Sequence, residues 1–217
     1  GGLATQALVA GDLQFSTSSG SSLNASLRGI KLKVVYVNLD RPLYKLISWR
    51  DDIRKVTDLR GKGIGIASRG DTMEGAANLM LRKHGMDPVR DVIWVALGTG
   101  GRVISLAAKT VDSAVLGFAD SLRMQSRGFA VHEVANIGKE IKMLYTGLAT
   151  SEDMVVKRPD VVRRFIRATV KGREFLKRNK TQSLALGKKY DKAPDDVRSA
   201  DYDATMEMMT AEGMEDP

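Results

Sequence analysis

The chain has 217 residues, 43% of them hydrophobic and 28% charged, with a formal net charge of +8. That length supports a sizeable core in one large domain or two small ones, and the balance is ordinary for a globular protein. The lack of any cysteine removes thiol nucleophiles, Cys-based zinc sites and disulfide scaffolds, and fits an oxidising or a reducing compartment equally; no apolar run is long enough to cross a bilayer.

In chain order, apolar spacing and glycine stops predict helices and strands in alternation. The chain opens on Gly1-Gly2 without a signal-peptide pattern and enters a helix from Leu3 to Ala10, stopped at Gly11. Leu13 to Thr17 reads as a buried strand, Ser21 to Leu27 as a helix ended by Gly29, and Leu32 to Asn38 as a β-branched strand. Tyr44 to Trp49 is a further strand, and Asp58 to Lys62 a turn into the strand Gly63 to Ala67. The clearest helix follows, with Met73, Ala76, Ala77, Met80 and His84 on one face, Asp71 or Thr72 as cap, and Gly85 as stop. Strands at Val92 to Leu97, Asp112 to Leu116, Phe129 to Val134 and Leu144 to Ala149 enclose helices at Val103 to Lys109 and Asp120 to Gln125, and from Asp160 everything is helical. Such alternation implies parallel sheets flanked by helices. Leu8-Val9-Ala10-Gly11 with Asp12 to Phe15 also lines up with Leu106-Ala107-Ala108-Lys109 and Thr110 to Ser113, a weak internal repeat of helix, turn and strand.

The charge is local. Between Lys157 and Lys192 stand 13 Lys/Arg against Asp160, Glu174 and Asp191, a balance of +10 that leaves the rest of the chain at −2. These cations lie on a helix whose apolar stripe is Val162, Phe165, Ile166, Thr169 and Leu176, so they read as its solvated face, with a nucleic-acid or anionic membrane surface as the alternative. Aromatics are 6% and not interleaved with the cations, so no nucleic-acid partner is expected.

Three stretches run from a strand into a Gly/Ser/Thr-rich helix start: Phe15 to Ser22, Gly65 to Thr72, and Val115 to Asp120. Ligands of open α/β sheets sit at the carboxyl ends of strands, where free N–H groups of a helix start favour an anion or polar headgroup. Leu97-Gly98-Thr99-Gly100-Gly101-Arg102 is a fourth such loop; it lacks the Lys-Ser/Thr ending of a P-loop, which argues against nucleotide hydrolysis. His84 and His132 are dispersed, His132 without an obvious partner, so no metal or other cofactor is expected.

The order and spacing of Ala7 to Phe15, Val56 to Gly65, Gly85-Met86-Asp87-Pro88, Val111 to Val115 and Arg158 to Phe165 resemble the periplasmic solute-binding proteins of ABC importers. The nitrate/sulfonate/taurine type, which includes thiamine-pyrimidine-precursor binders, is the group most similar. The resemblance implies an α/β, two-lobed fold of periplasmic-binding-protein type II, with parallel-rich sheets flanked by helices. Lobe I would comprise residues 1–45 and 151–217, lobe II residues 46–150, and the hinge would lie near Asn38–Arg50 and Ala149–Asp153. The family carries a signal peptide and a strand-helix-strand before the position of Gly1, so lobe I is expected to lack its N-terminal strands.

Candidate ligand contacts follow from the loops and the resemblance together. Ser18, Ser19 and Ser21, with Ser22, offer hydroxyls and amides at one mouth, or else cap a helix; the resemblance favours contact. Ser68 and Thr72 flank Arg69, which either grips an acidic group or pairs with Asp71, itself a cap. Gly98, Thr99 and Gly117 supply backbone, Phe118 an apolar wall or a core ring, and Gly1 and Gly2 would line the pocket if the family's loop is retained. The function implied is capture of a small polar or anionic solute, delivered to the membrane permease of an ABC importer by a non-enzymatic, monomeric protein of the periplasm or outer cell surface. A thiamine-pyrimidine synthase-like enzyme is the rival, disfavoured by the missing cysteines, and the effector-sensing half of a transcription regulator is the other.

Overall fold

The computed structural model describes residues 2–190 and 192–209, so the role expected of Gly1 lies outside the described residues. The chain divides into two compact units, Gly1–Asp40 with Leu144–Pro217, and Arg41–Met143. The first unit opens with α1 (Gly2–Ala10), β1 (Phe15–Ser16), α2 (Ser19–Leu27) and β2 (Leu32–Leu39). The second runs through β3 (Tyr44–Ser48), a 3-10 turn (Val56–Leu59), β4 (Gly63–Ile66), α3 (Thr72–Lys83) and β5 (Ile93–Ala96). It continues with α4 (Gly98–Ala107), β6 (Ser113–Gly117), α5 (Phe118–Ser126), β7 (His132–Asn136) and α6 (Ile137–Glu140). The chain then returns to the first unit with β8 (Thr146–Ser151), α7 (Glu152–Lys157), α8 (Pro159–Arg178), α9 (Lys180–Gly187) and α10 (Asp195–Met208).

The second unit is a five-stranded sheet in the order β5-β4-β6-β3-β7 between two helical layers. β4 lies parallel to β5 and β6, whereas β3 runs antiparallel to both β6 and β7. Alternation of side chains across a strand builds both layers. Leu46, Ile64, Ile66 and Val115 pack against Met73, Ala76, Ala77, Met80 and Leu81 of α3 and Ile137 of α6. Their neighbours Ile47, Ala114 and Leu116 turn to the other face, onto Leu106 of α4 and Met124 of α5. Leu46, Ile64 and Ile66 are wholly buried, each stabilising the unit by about 1.5–3 kcal/mol.

In the first unit the sheet order is β1-β8-β2. Leu8 of α1, Leu32 and Ala149 form its small core, with Ala25 and Val34 packed against them. Phe15 stacks flat on Phe165 of α8, ring centroids 4.1 Å apart. Gly147 lies where β2 loses register between Val34 and Tyr36 and again between Val37 and Leu39. A Cβ there would run into the Tyr36 carbonyl oxygen, so this position admits glycine alone.

Four expectations change. β1 and β2, expected as a parallel pair, are separated by β8, which pairs antiparallel with each; a strand distant in sequence has entered between them. The strand expected over Leu13 to Thr17 contracts to two residues, with Leu13 40% exposed. The return to the first unit comes at Leu144 rather than at residue 151, because β8 gives its hydrogen bonds to β1 and β2. The helix expected from Val103 begins at Gly98, so the glycine-rich loop is the first turn of α4.

The aligned repeat has a structural counterpart. Leu8 and Leu106 are both buried, at 2% and 1% exposure. Gly11 and Lys109 both take the left-handed conformation, φ +84° and +60°, where each helix turns into its strand. Lys109 is the single non-glycine residue with positive φ among the described residues.

Candidate functional site

Because β5, β4 and β6 are parallel neighbours, their carboxyl ends share one edge of the second unit. Leu97 N donates to Ile66 O at 2.9 Å and Gly98 N to Ala67 O at 3.0 Å, tying the loop after β5 to the loop after β4. Phe118 N donates to Leu43 O at 3.1 Å, fixing the turn after β6. Ser68, Arg69, Thr72, Gly98, Thr99, Gly117 and Phe118 therefore gather at one sheet edge.

The loop before α3 is held by two carboxylates. Asp71 accepts from Glu74 N at 2.8 Å as N-cap, and from Ser68 N and Oγ at 3.2 and 3.3 Å. Glu74, 5% exposed, accepts from Gly70 N and pairs with Arg69 Nε at 3.1 Å. The pairing of Arg69 with Asp71, one of the two roles the sequence left open, is replaced by this pair with Glu74. Asp71 is spent on the cap, while a carboxylate as buried as Glu74 needs a cation beside it. The Arg69 guanidinium also lies 5.9 Å from the centre of the Trp94 ring. Across the edge, Lys45 Nζ stands 4.4 Å above the Phe118 ring and pairs with Glu133 at 2.6 Å.

Arg102 organises this edge, a part that sequence reasoning missed. Its side chain is 3% exposed; Nη1 donates to Val115 O at 2.6 Å and lies 3.0 Å from Met73 Sδ, while Nη2 is 3.9 Å from Asp120. One guanidinium thereby links α4, where it resides, to the starts of α3 and α5 and the middle of β6. The glycines ahead of it drew attention to the loop, but nothing local distinguishes an inward from an outward arginine.

In the first unit, Gly2, Ser18, Ser19 and Ser21 lie toward the end of the sheet where β8 begins. Ser16 Oγ accepts from Ser18 N at 3.1 Å, and Thr5 Oγ1 meets Ser22 Oγ at 3.5 Å, joining α1 to α2. Ser18 stands at the N-cap without a side-chain capping bond. Ser19 is wholly buried, its Oγ without a hydrogen-bond partner among the described residues; Ser21 is half-buried and Gly2 exposed. A cavity of about 410 Å³ opens at this end, lined among others by Thr17, Tyr36, Asn38, Thr146 and Arg173. Thr146 Oγ1 is buried with no hydrogen-bond partner among the described residues, and Arg173 Nη1 donates to Tyr36 Oη at 3.3 Å. The sequence pattern set Arg173 among solvated cations. It is 4% exposed, whereas Arg163, Arg164 and Arg167 of the same helix face solvent, and the expected stripe residues Phe165 and Leu176 remain 41% and 38% exposed.

The histidines serve the fold. His84 is the C-cap of α3 with Nε2 3.0 Å from Glu140, and His132, expected without a partner, places Nε2 2.7 Å from Ile53 O. Among the described residues no group of three His, Cys, Asp or Glu side chains is placed to hold a metal ion. No described helix is long and apolar enough to cross a membrane.

The NMT1/THI5-like family matches residues 1–183. The chain belongs to that family. Riboflavin-binding protein RibY of Chloroflexus aurantiacus is 29% identical over 161 residues, which is 73% of this chain and 45% of RibY. The chain thus spans less than half the length of that curated relative. Among solved structures, the alkanesulfonate-binding protein SsuA of Xanthomonas axonopodis pv. citri, bound to MOPS, superposes with TM-score 0.79 at 19% identity, covering 92% of this chain and 69% of SsuA. The CA3427 gene product of Candida albicans, described as having the generic periplasmic binding protein fold, gives TM-score 0.74 at 13% identity over 98% and 70% of the two chains. At these identities the likeness establishes the fold, that of periplasmic binding proteins.

Proposed function

We propose that the chain is the solute-binding part of an ABC import system, holding a small organic solute at the carboxyl sheet edge of its second unit and presenting it to a membrane permease outside the cytoplasm. The observation that carries this is the gathering of three strand-to-helix loops at one edge of the second unit, in a chain of the NMT1/THI5-like family. Fixed N–H groups at helix starts and half-buried rings suit reversible capture. The relatives' names, a riboflavin binder and a sulfonate binder, support the same reading. The chain crosses between the units twice, at residues 40–41 and 143–144, and those paired crossings are the proposed hinge. Ligand shifts such a hinge only if it binds the closed form more tightly.

The charges at the edge narrow the expected solute. Arg69 is held by Glu74, Lys45 by Glu133 and Arg123 by Asp120 at 3.2 Å, so the cations there are already matched. The half-buried rings of Trp94 and Phe118, each with one of these cations over it, add aromatic surface beside the matched pairs. A flat, uncharged heteroaromatic ring fits this better than a sulfonate. Thermal unfolding with riboflavin, a hydroxymethylpyrimidine, taurine and ethanesulfonate tests it. A true ligand at about 100 times its Kd stabilises by about 2.7 kcal/mol. The ring compounds are expected to raise the midpoint and the sulfonates to leave it unmoved; a shift with sulfonates alone refutes the ring assignment, and none with any solute refutes capture.

A further inference from the structure

The first unit has a second cavity, of about 610 Å³, at the opposite end of its sheet from Ser18 and Thr146. β8 runs from Thr146, opposite Leu39, to Ser151, opposite Leu32, and the cavity takes in Leu32 and Ser151. Six strand residues separate the two ends by about 17–20 Å. The floor is apolar: Leu8 and Leu32 are each 2% exposed, and Leu13, Ile30 and Met154 extend it outward. Leu13 and Ile30 stay 40% and 41% exposed and leave open apolar surface beside that floor.

The rim is cationic. Lys31, Lys157 and Arg158 line it against one acid, Asp153. Lys157 occupies that acid at 2.6 Å, and this hydrogen bond, with a further pull from Lys31, holds the Asp153 carboxyl below its ordinary range. Lys31 and Arg158 remain as surplus positive charge above an apolar floor. A neutral apolar guest would leave them idle, and an inorganic anion would leave the floor wet.

We propose that this cavity binds an amphiphilic anion, its alkyl chain on Leu8, Leu13 and Ile30 and its acidic group against Lys31 and Arg158. The shared chemistry is a chain of several methylenes ending in a carboxylate or phosphate, met either as a free fatty acid or as an anionic phospholipid. Isothermal titration of the full chain with octanoate and with 1-octanol tests the free acid. Sedimentation with phosphatidylcholine vesicles, with and without one third phosphatidylglycerol, tests the lipid. Octanoate is expected to bind one to one and more tightly than octanol, and Lys31→Glu with Arg158→Glu to weaken it about tenfold or more. Retention on anionic vesicles that the double variant loses, without octanoate binding, supports the same site and assigns the lipid as its source. Octanoate binding or vesicle retention that the double variant leaves unchanged, or the absence of both, overturns the proposal. Both substitutions are at exposed positions, and an unchanged thermal midpoint confirms that the variant is folded.

Discussion

Replacing Arg102 by methionine isolates the contribution of one buried cation to the candidate edge. Methionine fills a comparable volume beside Met73 but offers no donor to the Val115 carbonyl, now bonded at 2.6 Å. A hydrogen bond from a charged donor contributes about 1.5–3 kcal/mol, and the carbonyl left buried adds to the loss. Removing the charge relieves its desolvation, which makes apolar replacement of buried ions nearly neutral when both partners go. Here Asp120 keeps Arg123 at 3.2 Å and is 30% exposed, so it is not left as an unpaired buried charge and the loss falls on the Val115 carbonyl. The net expectation is a loss of about 2–4 kcal/mol. The chain's two tryptophans, Trp49 and Trp94, both lie in the second unit, so their fluorescence in urea reports that unit alone. With a slope of about 2 kcal/mol/M the midpoint falls by about 1–2 M. Arg102→Lys, which keeps the charge, is expected to fall between. A midpoint within about 0.3 M of the parent would refute the linking role.

Three further outcomes follow from the same contacts. Asp52 is held down to about 2, chiefly by its hydrogen bond with Arg50 at 2.8 Å, so its contribution is fully present above about pH 4 and is lost as pH falls through about 2. Asp52→Asn should flatten that part of the acid limb of tryptophan-detected unfolding; an unchanged limb contradicts it. Gly147→Ala drives a methyl into the Tyr36 carbonyl and should cost more than about 3 kcal/mol in the first unit, seen as lost far-ultraviolet dichroism with the tryptophan transition retained. Asp71→Ala removes the cap of α3 and should cost about 1 kcal/mol while loosening Ser68, read from faster amide exchange there; parental exchange would count against the cap holding that loop.

Local chemistry made much of the molecule legible. The 3.6-residue spacing of Met73, Ala76, Ala77 and Met80 gives α3, Asp71 its cap, and the glycines at 11, 29 and 85 the left-handed ends, because each depends on neighbours within a turn. The loops after β4, β5 and β6 were visible as strand-to-helix junctions, and parallel pairing of those strands puts them on one edge. Pairing partners were not legible. β8 enters between β1 and β2 from more than a hundred residues away, and no spacing along the chain encodes that insertion. The same holds for charge: Arg102 and Arg173 look like any exposed arginine in sequence, and only the assembled sheet decides that they point inward, onto Val115 and Tyr36. Periodicity fixes which face of an element is apolar; which carbonyl or ring will be waiting for an inward cation is settled when distant segments meet.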